Sequence, residues 1–403
     1  MELIQPFAAV RPRAELAARI CAPPYDVLST EEARAMAEGN PLSFLRVSKP
    51  EIEFPPAQDP YAPEVYERGR QHFQRLLCEG ALVQDSAPAF YLYQQRMGCH
   101  VQTGLVAVAS CEAYLQGKIK KHELTRPDKE DDRMRHIEVV GSQTGPAFLV
   151  YRSHAALDEF VEQKIATAPE VDFTAADGVR HASWALREPA EIEFIQRAFE
   201  TIPALYIADG HHRTAAAARV YQKRGSGAAA WFLAVIFPHH QLQILPYNRV
   251  LKDLNGWTPA ALLDRLGAVM ELLPDSGPSP SCKHEICLYL AGQWHRFRWK
   301  PEVATTSQAV ESLDAALLQR HVLGPVFGID NPRTSDRIAF IGGIRGTKEL
   351  EQRVNSGEFA AAFSLYPTTV EDMMQVADEG GIMPPKSTWF EPKLRDAMFT
   401  HML

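Results

Sequence analysis

Residues Leu205 to Arg213 read LYIADGHHR, and the TAAAARVYQKRG that follows is an alanine-rich stretch closed by Gly225. Alanine favours helix and glycine ends one, so the pattern is a strand that stops at a tight glycine turn and feeds directly into a helix. The first amides of a helix have no partner within it. At Gly210, His211, His212 and Arg213 they are reinforced by two imidazoles and a guanidinium, and with Thr214 they make a compact anion site suited to a phosphate. Asp209 has three readings: a helix cap, a metal ligand or a base. Convergent polar groups at one turn have no packing purpose, which weighs against a merely capped helix with surface histidines.

A second concentration of chemistry lies in Lys118 to His136, where twelve residues are Lys, Arg, Asp or Glu. Such a stretch often makes a solvated helix face with i,i+4 pairs. The run HELTRPDKEDDR has a sharper reading. His122 and Glu123 offer a base, Glu123 and Asp209 offer carboxylates to a magnesium ion, and Arg126 and Lys129 are cations for a polyphosphate. Phosphoryl transfer needs positioning and charge neutralisation more than covalent chemistry, so this run is expected to form a second wall facing the glycine turn.

Rigid proline segments present other candidates. Ala22-Pro23-Pro24-Tyr25-Asp26 fixes two φ angles and offers Asp26 as a further candidate base. Met383-Pro384-Pro385-Lys386-Ser387-Thr388-Trp389-Phe390 combines a turn, a cation and two hydroxyls, so Lys386, Ser387 and Thr388 are expected on phosphate or carboxylate. Arg249 and Arg345 are weaker candidates of the same type. Cys282, His284 and Cys287 lack the spacing of a zinc ribbon and read as ordinary thiols and a surface histidine.

The elements that must position these residues alternate between strand and helix signals over 403 residues, with no repeat. Strands are expected at Ala89–Arg96 and Val101–Ser110, joined as a hairpin, and at Ala147–Arg152, Leu205–Ala208, Ala230–Phe237 and Gln241–Tyr247. Others are expected in a hairpin from Glu285 to Trp299 turned at Ala291-Gly292, at Arg337–Ile341 and at Ala360–Leu365. Helices are expected at Ala14–Arg19, Glu31–Glu38, Val65–Glu79, Thr214–Arg224, Pro259–Leu266, Leu313–Leu323 and Val370–Asp378. Short turns between neighbouring strands point to an α+β fold with mixed sheets and interspersed helices. Three regions are expected: residues 1–200 with the charged segment, 201–270 with the phosphate turn, and 271–403 with the PPKSTWF motif. Neither GxGxxG nor GxxxxGK[ST] occurs.

Composition sets the outer bounds. The chain has 46% hydrophobic and 23% charged residues, within the range of folded globular proteins. A net charge of −8 gives no general basic field, so a nucleic-acid partner is not expected. The opening residues lack an uninterrupted apolar block, and no other stretch has the length of a membrane helix, so a cytoplasmic location with no membrane partner is expected.

The DGHHR run resembles the phosphate-binding signature of the ParB/sulfiredoxin superfamily, which grips a nucleotide phosphate at a helix start. That superfamily includes DNA-partition nucleotide hydrolases, sulfiredoxins and kinases of free serine. The catalytic cysteine of sulfiredoxin has no counterpart between Asp209 and Arg213. A wider resemblance runs through PFAAVRPR, APPYDVLS, GNPLSFLRV, KKHELTRPDKEDDR, YIADGHHRTAAAARV, NRVLKDLNG, GGIRG, FSLYPTTVEDMMQVAD and MPPKSTWFEPKL. These are similar to the successive motifs of the bacterial and archaeal domain-of-unknown-function family 1015. The two resemblances imply a ParB/sulfiredoxin-like nucleotide-binding unit and a kinase that uses ATP or ADP with Mg2+ to phosphorylate a small hydroxylated metabolite, free serine being one. A phosphatase or nucleotide hydrolase is the enzymatic alternative. A nucleotide-binding regulator related to partition proteins is the other; it requires a basic recognition helix, which Thr214–Arg224 does not supply.

Overall fold

The run from Leu105 to Ala109 is apolar at every position, which a strand tolerates only where both faces of its sheet are covered. In the computed structural model, which describes residues 2–403, it lies in a nine-stranded mixed sheet. The strands are β1 (Ile4–Gln5), β2 (Phe90–Met97), β3 (His100–Ser110), β4 (Ile119–Lys120), β5 (Ala147–Tyr151), β6 (Val171–Thr174), β7 (Arg180–Leu186), β8 (Leu205–Asp209) and β9 (Trp231–Pro238). Their order is β4-β8-β5-β9-β3-β2-β7-β6, with β1 beside the end of β3. The β2–β3 hairpin forms where it is expected, and its turn uses Gly98 at φ 61°. The β5–β9 and β4–β8 pairs are parallel, while β8 runs antiparallel to β5. Such a mixture follows from helices inserted irregularly between strands.

This sheet belongs to a unit formed by the chain up to Leu242 together with Pro392–Leu403. Its helices include α1 (Thr30–Ala37), α2 (Pro63–Cys78), α3 (Pro127–Val140), α4 (Ala155–Ile165), α5 (Pro189–Glu200) and α6 (His211–Arg224). Helix α3 packs along α6, where Arg219 meets Asp131 at 2.7 Å and Lys223 meets Glu138 at 2.7 Å. The last residues return to this unit by pairing His401 with Gln143 and Met402 with Ser142, and by a bridge between Ala22 and Asp396. The main core gathers Leu92, Leu105, Leu149, Ile207, Val220 and Ile236, all buried.

The second unit, Gln243–Glu391, contains β10 (Gln243–Leu245), β11 (Tyr247–Leu251), β12 (Met270–Leu272), β13 (Glu285–Leu290), β14 (Gln293–Trp299), β15 (Ile338–Gly342), β16 (Ala361–Leu365) and β17 (Trp389–Glu391). Six of these form a sheet in the order β12-β14-β13-β16-β11-β15, and β10 pairs with β17. Helices α7 (Pro259–Leu266), α8 (Gly346–Asn355) and α9 (Val370–Asp378) accompany them. The β13–β14 turn at Ala291 and Gly292 has φ of 50° and 81°, the left-handed pair a two-residue hairpin favours.

The α+β class with mixed sheets is therefore as expected, with differences in detail. The single strand expected at Gln241–Tyr247 is divided: Gln241 ends a short helical turn, and Pro246, which has no amide to donate, separates β10 from β11. The junction expected at residue 200 falls inside the first unit and that at 270 inside the second, because β8 is a strand of the nine-stranded sheet and β12 one of the six-stranded sheet. No described helix is long and apolar enough to cross a membrane.

Candidate functional site

The glycine turn sits where β8 leaves the sheet. The register between β8 and β5 slips between Ile207 and Asp209, a bulge that redirects the chain just before the turn. Gly210 then takes φ 89° and ψ 28°, and α6 begins at His211, three residues earlier than the expected start. A Cβ at Gly210 would lie 3.3 Å from the Cα of Ala147 and 3.2 Å from Arg213 Nε, so both backbone conformation and space call for glycine. The first intrahelical bond runs from the Thr214 amide to the Gly210 carbonyl at 2.9 Å, so the amides of His211, His212 and Arg213 come before it.

Asp209 anchors the turn. Its Oδ1 accepts the Gly210 amide at 2.7 Å and its Oδ2 accepts Lys393 Nζ at 3.0 Å. Burial alone would raise its pKa, but Lys393 and Arg213 outweigh that and hold the carboxyl well below the usual carboxylate range. Arg213 lies between Asp26 at 3.7 Å and Asp209 at 3.8 Å and donates to the Pro146 carbonyl. Its side chain is only 10% exposed, and its Nε makes no hydrogen bond. Desolvation would lower its pKa; Asp26 and Asp209 more than offset this and keep the guanidinium charged.

The returning C-terminal segment supplies Lys393 and also Asp396, which is 1% exposed. Burial pushes the Asp396 carboxyl up to about 7, with Arg213 opposing and Asp26 reinforcing. Tyr25, Ser48, Arg133, Arg213 and Asp396 line a cavity of about 30 Å³, room for one or two waters and too small for a metabolite. The Arg133 guanidinium covers the Tyr25 ring at 3.9 Å.

The charged segment lies directly on the turn. Parallel pairing of Leu205 with Ile119 and Tyr206 with Lys120 sends residues 121–123 out of the sheet alongside Ile207–Asp209. The His212 ring accepts the Arg126 amide through Nε2 at 3.0 Å, and His211 Nε2 faces the His122 amide at 3.5 Å. An accepting ring nitrogen is unprotonated, and burial lowers the pKa of His212 accordingly. The His122 and His211 rings meet edge to face with centroids 4.6 Å apart. Burial also takes His122 down to about 4; the nearby Ile207 backbone works the other way, but neither ring nitrogen completes a well-formed hydrogen bond. Donor atoms of His122, Glu123 and His211 all lie within 4.8 Å of one another.

The model of a family described as "Protein of unknown function (DUF1015)" matches residues 4–316. The chain belongs to this family. The motifs GGIRG, FSLYPTTVEDMMQVAD and MPPKSTWFEPKL lie beyond the matched stretch. No curated protein matches the sequence. Among solved structures, the DUF1015 chain is similar to a free serine kinase in complex with AMP, at 15% identity and TM-score 0.38, covering 73% of this chain and 92% of that one. It is also similar to SbnI with C-terminal truncation from Staphylococcus aureus, at 10% identity and TM-score 0.40, covering 72% and 85%. A conserved hypothetical protein from Pyrococcus furiosus is similar at 15% identity and TM-score 0.36, covering 72% and 93%.

The remaining expected residues of the DUF1015 chain divide clearly. Asp26, His122, Glu123, Asp209, Gly210, His211, His212 and Arg213 come together in the first unit. Thr214 is buried and its hydroxyl donates to the Gly210 carbonyl at 3.2 Å, so it secures the turn from behind. Arg126 forks onto Asp128 at 3.1 and 2.8 Å, and Lys129 donates to the Tyr61 hydroxyl at 3.0 Å; only the Arg126 backbone bonds to the turn. Lys386, Ser387 and Thr388 belong to the second unit, where Ser387 donates to the Pro384 carbonyl at 2.8 Å and Lys386 lies 5.6 Å from the Tyr247 ring centre. Arg249 is also in that unit, its guanidinium donating to the Tyr247 carbonyl; burial lowers its pKa to about 10. Among the described residues, Cys282, His284 and Cys287 form no metal-ligating group.

Sequence reading missed Lys393, Asp396 and Arg133. The magnesium expected on Asp209 and Glu123 does not match the residues present. Asp209 is engaged on both oxygens beside two cations, and Glu123 is flanked by two imidazoles, whereas magnesium prefers an octahedron of oxygens.

Proposed function

We propose that this chain is a phosphotransferase that holds ATP or ADP by its phosphates at the Asp209–Arg213 turn and transfers the terminal phosphoryl group to a small hydroxylated metabolite, free serine first among them. The observation that carries the reading is the turn itself: three helix-start amides beside a left-handed glycine, with the largely buried Arg213 and Lys393 on either side of Asp209. Amides at a helix start and an always-charged guanidinium make an anion site. The DGHHR resemblance supplies the nucleotide, and the superfamily's serine kinases supply the acceptor.

In this reading the amides of His211, His212 and Arg213 take phosphate oxygens, and Arg213 neutralises charge that develops as the phosphoryl group moves. Lys393 and Asp209 fix the turn. Asp26, 38% exposed and 3.7 Å from Arg213, is the base that takes the acceptor's hydroxyl proton, since His122, 2% exposed, is closed off from an acceptor. The residues present do not fit magnesium.

The test incubates the full chain with ATP or ADP and a panel of hydroxylated metabolites and reads the products by mass spectrometry. A phosphorylated acceptor is expected. Release of inorganic phosphate alone would replace this reading with a hydrolase, and tight nucleotide binding without turnover would replace it with a regulator.

A further inference from the structure

We infer that His122, Glu123 and His211 form a binding site for a divalent first-row transition ion, zinc being the best match. Two imidazoles and a carboxylate are a ligand set suited to zinc, one that leaves a further position open to water or another oxygen. The topology builds it from two places: β4 beside β8 delivers His122 and Glu123, and the turn delivers His211 as the first residue of α6. Their donor atoms lie within 4.8 Å of one another. Ligands held at about 2.0–2.2 Å from zinc lie about 3.3–3.6 Å apart, so binding draws the set inward by roughly 1 Å.

A second observation points to a ligand independently. His122 is 2% exposed, and neither of its buried ring nitrogens completes a well-formed hydrogen bond, although the Ile207 backbone approaches the ring. Buried polar atoms are nearly always satisfied, and an imidazole with no good partner on either nitrogen calls for an explanation. A packing role would be served better by an apolar ring. The His211 ring, edge to face at 4.6 Å, places a second potential ligand against it. The competing contacts are weak or replaceable: the His122 amide approaches His211 Nε2 at 3.5 Å, and Glu123 keeps an interaction of its own that an ion would exchange.

Metal capture does not rest on the phosphotransferase reading, and the two are tested apart. The full chain, stripped with chelator and kept free of nucleotide, is titrated with Zn2+, with Co2+ as a visible-absorption probe and with Mg2+ as a control. One Zn2+ or Co2+ per chain is expected, with Co2+ bands characteristic of nitrogen and oxygen ligands and no comparable Mg2+ uptake. Glu123→Gln, at a half-buried position, is expected to fold and to lose at least ~10-fold in affinity; His211→Asn is expected to lose more, at least ~100-fold. Absence of stoichiometric Zn2+ or Co2+ binding by the folded wild-type chain, or unchanged affinity in folded Glu123→Gln, would overturn the inference, as would a preference for Mg2+. ADP affinity measured on the same stripped protein reports the phosphotransferase reading separately: binding of ADP without zinc, or of zinc without ADP, leaves one standing and removes the other.

Discussion

Replacing Gly210 by alanine tests whether the turn's geometry, and not merely its presence, binds phosphate. At φ 89° an L-residue is strained by about 1–2 kcal/mol, and the new Cβ would sit 3.3 Å from the Ala147 Cα, a backbone atom that no rotamer change can move aside. With overpacking of about 1–3 kcal/mol included, the stability loss is roughly 2–5 kcal/mol. Gly225→Ala is the matched control, since Gly225 has φ 83° and nothing within 4 Å of its Cβ position, so it carries the conformational cost alone. If the turn relaxes to relieve the contact, the amides of His211 to Arg213 are re-aimed. Losing one charge-assisted hydrogen bond of about 1.5–3 kcal/mol weakens ADP binding roughly 10- to 150-fold. Urea denaturation and calorimetric ADP titration of the two variants supply both quantities. Gly210→Ala that folds and binds ADP as tightly as Gly225→Ala would refute the assignment of the amides to phosphate.

Asp26→Asn should lower kcat by ~10²–10⁴ while leaving ADP affinity within a few fold, as expected for a proton acceptor beside Arg213; steady-state kinetics with saturating nucleotide decides, and unchanged kcat would exclude it. Thr214→Val should cost about 1 kcal/mol without altering ADP affinity, because its hydroxyl bonds to the Gly210 carbonyl behind the turn; a loss of binding like that of Gly210→Ala would contradict this. Acid should destabilise the fold early. Burial, aided by Arg133, lowers His136 to about 4, and burial, aided by Arg395, lowers His181 to about 3. In the unfolded chain both titrate near ~6.5, so between that pH and the folded values the unfolded state binds more protons. Their stabilisation is complete above about pH 6.5 and is lost, by an amount on the order of a few kcal/mol, as pH falls toward 4 and then 3. Urea midpoints at pH 7.5, 5.5 and 4.5 should fall in that order, and a flat profile would contradict the burial of the two rings.

Much of the frame was legible because its signals are local. The β2–β3 and β13–β14 hairpins, the strand entering DGHHR and the helix closed by Gly225 all follow from apolar runs and glycine punctuation. Helix α5 was legible too, since Pro189 marks its start and Ile192, Ile195 and Phe199 fall on one face, yet the expected elements omit it. Pro246 carried the signal that one expected strand is two. Lys393 and Asp396 were beyond reach for a different reason. Lys393 meets Asp209 from 184 residues away in sequence, brought there by the pairing of the last residues with Ser142 and Gln143, by the Ala22–Asp396 bridge and by the Gln95 side chain, which donates to the Lys393 carbonyl at 2.8 Å. The sequence likewise marks Lys386 as a phosphate ligand and Lys393, seven residues on, as nothing, although the latter holds the turn. Opposite charges announce that a contact is available; only the fold selects the partner.

The most direct test of the central claim is a crystal structure of the full chain with ADP. The phosphates should lie at the start of α6, within hydrogen-bonding distance of the His211, His212 and Arg213 amides and the Arg213 guanidinium. ADP bound with its phosphates elsewhere in either unit, and this turn bare, would contradict it.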